Sequence, residues 1–205
     1  MRPIPRPLEV SYLAKKRGIA TAKISVRELD DGRFEQRIEH APLLGITREM
    51  LFWWMHHIGD QVEFEGHRVL AYRLWHPSDH IHWHCDGPIE PGCKFHIVEA
   101  FQAQRRYLVD NVFDVPTLTP SGFRLVSRFM EIAQISVDED WIDVPGGVQW
   151  TNTMQLTASI GILQPLVQVG RRFKMDMMTA WLTHNVEEVG FIPEFLPKLF
   201  AARPA

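Results

Sequence analysis

Between residues 173 and 189 the apolar positions recur three and four residues apart, the period of one face of a helix. Met177, Trp181, His184, Glu188, Phe191 and Phe195 fall on one continuous stripe, and a stripe that apolar is what a helix turns toward a core. Pro193 and Pro197 are expected to kink or segment its end. Upstream the period shortens to two. Residues 20–29 and 34–40 read as a pair of strands joined at Asp30-Asp31-Gly32, a good hairpin turn. Thr47 is a suitable N-cap for a helix that carries Met50, Leu51, Trp53, Trp54 and Met55 and stops near Gly59. His56 and His57 at its end suit the negative pole of the helix dipole.

Further strands are expected over 67–75, with Leu70, Tyr72 and Leu74 on one face, then over 93–102, 129–137 and 148–163, with Pro145-Gly146-Gly147 as the turn between the last two. One helix near the front, a run of antiparallel strands and a long amphipathic helix at the end make an α+β pattern in which a curved sheet wraps the final helix. Such a fold leaves room for a cavity between sheet and helix. Phe95, Ile97 and Phe101 are expected opposite the final helix. No repeat or long linker divides the 205 residues, so residues 1–205 form one domain, with 1–19 an extended, proline-rich N-terminal segment.

Composition removes several functions. A formal net charge of -3 offers no basic stripe for nucleic acid. No uninterrupted apolar run marks a leader or a membrane span, so the expected place is the cytoplasm. There Cys85 and Cys93 stay reduced, and two cysteines are too few for a disulfide framework.

Three polar features interrupt the apolar pattern. His184 and Glu188 sit one helical turn apart inside the inward stripe, where an unpaired charge is costly. They are either a buried hydrogen-bonded pair or ligands of a metal ion, while Glu187 points off the stripe toward solvent. Glu99 lies mid-strand between Ile97 and Phe101, on an otherwise apolar face. It either escapes to solvent on an edge strand or is a further inward ligand. Between them comes His76-Pro77-Ser78-Asp79-His80-Ile81-His82-Trp83-His84-Cys85, with four histidines in nine residues. A histidine-rich tract is a metal signal, but nothing within the tract singles out one ring.

The end of the chain, from His184-Asn185-Val186-Glu187-Glu188-Val189-Gly190 through Phe195-Leu196-Pro197-Lys198-Leu199-Phe200, resembles the C-terminal motif of the diacetylphloroglucinol hydrolase and phloretin hydrolase family. Tyr72-Arg73-Leu74-Trp75-His76-Pro77-Ser78-Asp79-His80 is similar to that family's second motif, and Ile38-Glu39-His40 with Gly45 through Met55 to the segment before it. The likeness runs from about residue 38 to residue 200. It implies a helix-grip (START-like) fold and a zinc-dependent hydrolase that cleaves the bond between an acyl group and a phenolic ring. On these positions the ligand set corresponds to His80, Glu99, His184 and Glu188, with Tyr72 facing the substrate. His76, His82 and His84 are then not ligands. A homodimer is the assembly the family implies, although this chain is short of the family's N-terminal pairing portion.

The chain departs from that pattern on the middle strands, where the family grips the phenol with a histidine and a tyrosine. No histidine lies between His96 and His184, and the last tyrosine is Tyr107. Trp141, Trp150, Asn152 and Gln155 are the expected lining in their place, and weak or no turnover of diacetylphloroglucinol itself is the consequence. The implied substrate is a small aromatic or ketonic compound, with Tyr72, Glu99 and Glu188 as catalytic groups and one of the glutamates as base. Two other readings fit the same residues: a helix-grip carrier of a small apolar ligand, and a non-haem oxygenase. Zn2+ is the expected metal, with Fe2+ or Mn2+ as alternatives.

Overall fold

A computed structural model describes residues 3–30, 33–129, 133–158 and 164–203. Its strands form a nine-stranded antiparallel sheet with the path β1-β2-β11-β10-β9-β8-β7-β6, and a short β3 is paired to β11 at the side. In chain order these are β1 (Lys23–Glu28), β2 (Phe34–Glu39), β3 (Leu43–Leu44), β6 (His80–Cys85), β7 (Lys94–Ala100), β8 (Leu108–Thr119), β9 (Gly122–Phe129), β10 (Ala133–Val144) and β11 (Gly147–Ala158). A separate hairpin pairs β4 (Gln61–Phe64) with β5 (His67–Leu70). The helices are α1 (Arg48–His57), a single turn α2 (Tyr72–Trp75) and the long α3 (Gln164–Ala201). The curved sheet wraps α3 in a helix-grip arrangement, the architecture the order of periodicities anticipates.

Local chemistry places several boundaries where the pattern puts them. Thr47 Oγ1 accepts the backbone N–H of Met50 at 3.2 Å and starts α1. Val144 and Gly147 face each other across the β10–β11 turn, with Gly146 at φ 80° between them. A Cβ on Gly147 would meet the carbonyl oxygen of Leu43 at 2.1 Å, so only glycine lets β3 close on β11. The expected turn residues Asp31 and Gly32 lie outside the described residues, as do residues 159–163 of the last expected strand.

Elsewhere the pattern misleads. Residues 67–75 are not one strand: β5 ends at Leu70, and Tyr72–Trp75 coil into α2. Burial of both faces explains the error, because Tyr72, Leu74 and Trp75 are all in the core and no alternation distinguishes a buried turn from a buried strand. Residues 108–128 carry no clear strand signal, yet they form β8 and most of β9. Pro116 lies where the β8–β9 register shifts between Asp114 and Thr117, and a proline at such an irregularity hides a strand in the sequence. Of the strand expected over 129–137, residue 129 ends β9 and residues 133–137 begin β10, which continues to Val144, while residues 130–132 lie outside the described residues. α3 runs through Pro193 and Pro197 without segmenting.

Residues 8–18 lie as an arm across α3. Tyr12 is 1 % exposed, its hydroxyl donates to the Leu74 carbonyl at 2.7 Å, and its ring packs on Phe64, Phe191 and Phe195. Phe191 and Phe195 therefore meet Tyr12, His76 and Trp54 rather than the concave sheet, whereas Met177 and Trp181 face the cavity with Phe95, Ile97 and Phe101 as expected.

Candidate metal centre

The site begins with a strand irregularity. β6 and β7 pair His80 with Glu99, but His82 pairs with Val98, so Ile81 is an extra residue bulged out of the ladder. Without it, His80, His82 and His84 would share one face. With it, His80 and Trp83 turn inward and His84 turns out to bond Asp86. Glu99 stands opposite His80 on the inner face, in line with Phe95 and Ile97 on the cavity wall.

α3 brings the other half. His184 and Glu188, one turn apart, are 2 % and 6 % exposed. His80 Nε2 lies 3.4 Å from Glu99 Oε1 and 3.3 Å from Glu188 Oε2. His184 Nε2 lies 3.9 Å from Glu99 Oε2 and 3.6 Å from Glu188 Oε2. The structure thus gathers all four residues that the resemblance selected. His80 Nε2 is buried with no hydrogen-bond partner among the described residues.

Neighbouring groups fix which atoms face inward. His80 Nδ1 donates to the Tyr72 carbonyl at 2.8 Å, and the Tyr72 ring stacks on the imidazole at 3.9 Å. His184 Nδ1 donates to Asp79 Oδ2 at 3.0 Å. Each contact commits Nδ1 as a donor and leaves the Nε2 lone pair for a cation, the arrangement in which outer carboxylates and carbonyls orient ligand histidines. Asp79 also accepts the backbone N–H groups of Gln102 and Ala103 at 2.9 and 3.1 Å, and both residues are held at positive φ. Asparagine-185 Nδ2 occupies Glu188 Oε1 at 2.8 Å, so Oε2 faces the histidines. The Tyr72 hydroxyl donates to Glu99 Oε1.

Asp79 is the residue that sequence reasoning passed over. Its signal was position alone, directly before His80, because orientation through a ring nitrogen is invisible without coordinates. Glu187 also differs from expectation: it is not solvated but accepts from Lys16 at 2.7 Å and pairs with His76 Nε2 at 3.1 Å. His76 is fully buried and stacks on His184 at 4.7 Å. It forms a second possible ligand group with Asp79 and His184. In that group His76 Nδ1 accepts the Asp79 N–H, and His184 Nδ1 is already bonded to Asp79. These contacts suit support of the four-residue set better than a centre of their own. Cys85 and Cys93 are free thiols and belong to neither ligand group among the described residues.

The electrostatics fit a cation. Burial pushes the carboxyls of Glu99 and Glu188 up, with nearby His184 only partly offsetting it. Burial also acts to lower His184, but Glu188, Asp79 and Glu99 outweigh it and hold that ring's pKa above its usual value. His80 is driven well down by burial and by the neighbouring histidines. Alone, the cluster therefore retains protons among groups that would rather share one positive charge. Two imidazole nitrogens and two carboxylate oxygens suit zinc, and binding would replace those protons.

Glu99, His184 and Glu188 line a cavity of about 370 Å³ between the sheet and α3, while His80 is not among the lining residues. Its walls are apolar, with Trp83, Phe113, Leu125, Met154 and Trp181 among the lining residues. Trp141, Trp150, Asn152 and Gln155 do not line it. The first three are buried in the core, and Gln155 is bonded to Arg33 and Glu35. The polar lining residue of β10 is instead Glu139, which holds Trp150 Nε1 at 2.6 Å and Asn152 Nδ2. An acidic residue in the sequence Ser136-Val137-Asp138-Glu139-Asp140-Trp141 reads as one of a charged run, which is why its inward position was missed.

No protein-family description and no curated protein matches the chain. Solved structures do. A protein of unknown function from Staphylococcus aureus is 11% identical, aligns over 83% of this chain and 97% of its own, and has a TM-score of 0.52. A protein from Rhodobacter sphaeroides is 13% identical over 86% of this chain and 99% of its own, also with a TM-score of 0.52. Ara h 8.0201 aligns over 79% of this chain and 98% of its own at 12% identity, with a TM-score of 0.42. At these identities the first two likenesses speak for the fold alone. Among the described residues no helix is long and apolar enough to cross a membrane.

Proposed function

We propose that this chain is a metal-dependent hydrolase that cleaves a carbon-carbon bond in an acylated phenol or related ketone. The observation that supports it is the cluster of His80, Glu99 and His184, with Glu188 beside both rings, at the edge of an apolar cavity, where His80 Nε2 has no hydrogen-bond partner among the described residues. Zinc is the metal the donor set favours, with Fe2+ or Mn2+ as alternatives. When bound, zinc supplies Lewis acidity and brings the pKa of a coordinated water toward ~7.

Hydrolysis adds water across the bond: the acyl carbon takes the hydroxyl and leaves as a carboxylic acid, and the ring carbon takes a proton. The cavity excludes bulk water and orients the ring against its apolar walls. Glu99 is the better placed base, because it is the more exposed of the two glutamates and shares its Oε1 with the Tyr72 hydroxyl. A proton taken up at Glu99 can pass to the ring carbon through the Tyr72 oxygen. Burial and the neighbouring Glu99 keep Tyr72 in its protonated form, as a donor must be. Glu188, fixed by Asn185, stays a ligand. A cytoplasmic protein acting on a small aromatic or ketonic compound, alone or as a homodimer, completes the reading.

A second reading, a carrier of a small apolar ligand, draws support from the size and apolar walls of the cavity. Incubating zinc-loaded protein with a panel of acyl phenols and 1,3-diketones separates the two. Release of the carboxylic acid, lost in Glu99→Gln, is the expected result. Tight retention of an intact compound with no acid released anywhere in the panel would favour the carrier.

A further inference from the structure

Glu139 is a buried carboxyl with no role in the chemistry above. It lies on β10 opposite Asn152 of β11 and Phe123 of β9, is 5 % exposed and lines the cavity. Its mount is rigid. Trp150 Nε1 donates to Oε2 at 2.6 Å, and Asn152 Nδ2 donates to the same oxygen. Asn152 Oδ1 in turn pairs with His40 Nε2, and these three partners are at most 3 % exposed. Both hydrogen bonds to Glu139 among the described residues thus fall on Oε2.

An apolar wall is a costly place for a carboxyl unless its oxygens are matched. Here one oxygen is doubly matched by the protein and the other is not. Asn111, another polar residue of the lining, exchanges hydrogen bonds with Ser127 Oγ through both amide atoms. We propose that Glu139 is a ligand-recognition residue, its Oε1 hydrogen-bonding a hydroxyl carried on the otherwise apolar molecule that fills the cavity. Burial favours the protonated carboxyl, which with Oε2 already accepting two N–H groups carries its proton on Oε1 and presents it to the ligand oxygen. The inference shares with the proposed function only the cavity as the ligand site, and it holds for enzyme and carrier alike.

Equilibrium binding to the full chain, zinc-loaded and after chelator treatment, tests it with two probes of equal shape, 4-hydroxyacetophenone and 4-methylacetophenone. The wild type is expected to hold the hydroxyl compound roughly two- to tenfold more tightly, the range for a well-placed hydrogen bond between neutral groups. Glu139→Leu should erase that preference while leaving the affinity for the methyl compound unchanged, which also shows that the cavity has folded. Glu139→Gln, whose amide can place an N–H where Oε1 was, should keep it. Equal affinities in the wild type, a preference that survives Glu139→Leu, or no binding of either probe overturns the proposal. A preserved preference without acid release supports Glu139 and counts against the hydrolase alone; acid release with no preference does the reverse.

Discussion

His184 and its partner Asp79 show how much one orienting contact carries. The carboxylate holds Nδ1–H and so presents Nε2 to the other three donors. Asp79→Asn keeps one of the two acceptor oxygens and is expected to weaken zinc binding by roughly 10- to 100-fold; competition against a chelating dye measures it. His184→Ala should abolish stoichiometric zinc altogether. His40 permits a prediction in pH. Burial lowers its pKa from 6.5 to about 4, with the Asn152 contact a partial offset. The depressed value means that the fold holds the neutral ring. Stability from this group is present above pH 6.5 and is lost as pH falls toward 4, where the unfolded chain has already gained its proton and the native chain has not. The loss is roughly 2–4 kcal/mol for a shift of this size. Urea titrations of His40→Gln should show a correspondingly shallower decline between pH 6.5 and 4 than the wild type, and parallel curves would exclude the assignment.

At the scale of elements, the arm over α3 is the feature least expected from composition. A proline-rich start reads as extended, yet Tyr12 enters the core and Lys15 and Lys16 pair with Glu194 and Glu187 on α3. The lysine pairs are partly exposed and add little. Tyr12 is what anchors the arm. Tyr12→Ala removes a buried ring and strands the Leu74 carbonyl, for an expected cost of about 3–5 kcal/mol in chemical denaturation. α2, to which that carbonyl belongs, also supplies Tyr72 and the backbone oxygen that orients His80. The same variant should therefore lower zinc affinity although Tyr12 touches none of the four donors.

For the molecule as a whole, the centre ties β6 and β7 at one end of the sheet path to the helix that closes the chain. A cation held by all four donors would bind the folded state and not the unfolded one. Zinc at a thousand times its dissociation constant would then add about 4 kcal/mol. For a chain of this length that corresponds to a rise in Tm of roughly 8–16 °C. Calorimetry with zinc and with chelator should show this shift in the wild type and its loss in His80→Ala.

Periodicity alone determined the architecture, because a face that must be buried repeats every two residues in a strand and every 3.6 in a helix wherever the chain folds. It placed α1, β1, β2, β7 and α3, and it turned Glu99, His184 and Glu188 inward, since each interrupts an apolar face. It did not find β8 and β9, where Pro116 and mixed polarity blur the alternation, nor the turn at Tyr72–Trp75, where burial on every side leaves no period to read. The choice of His80 among four histidines came only from resemblance, and its physical cause is tertiary: one bulged residue, Ile81, reverses the faces beyond it. Asp79 and Glu139 were likewise decided by the fold. What makes each matter is the atom of a distant residue that it faces, His184 Nδ1 across 105 positions and Trp150 Nε1 across the β10–β11 hairpin, and a local pattern contains no such distance.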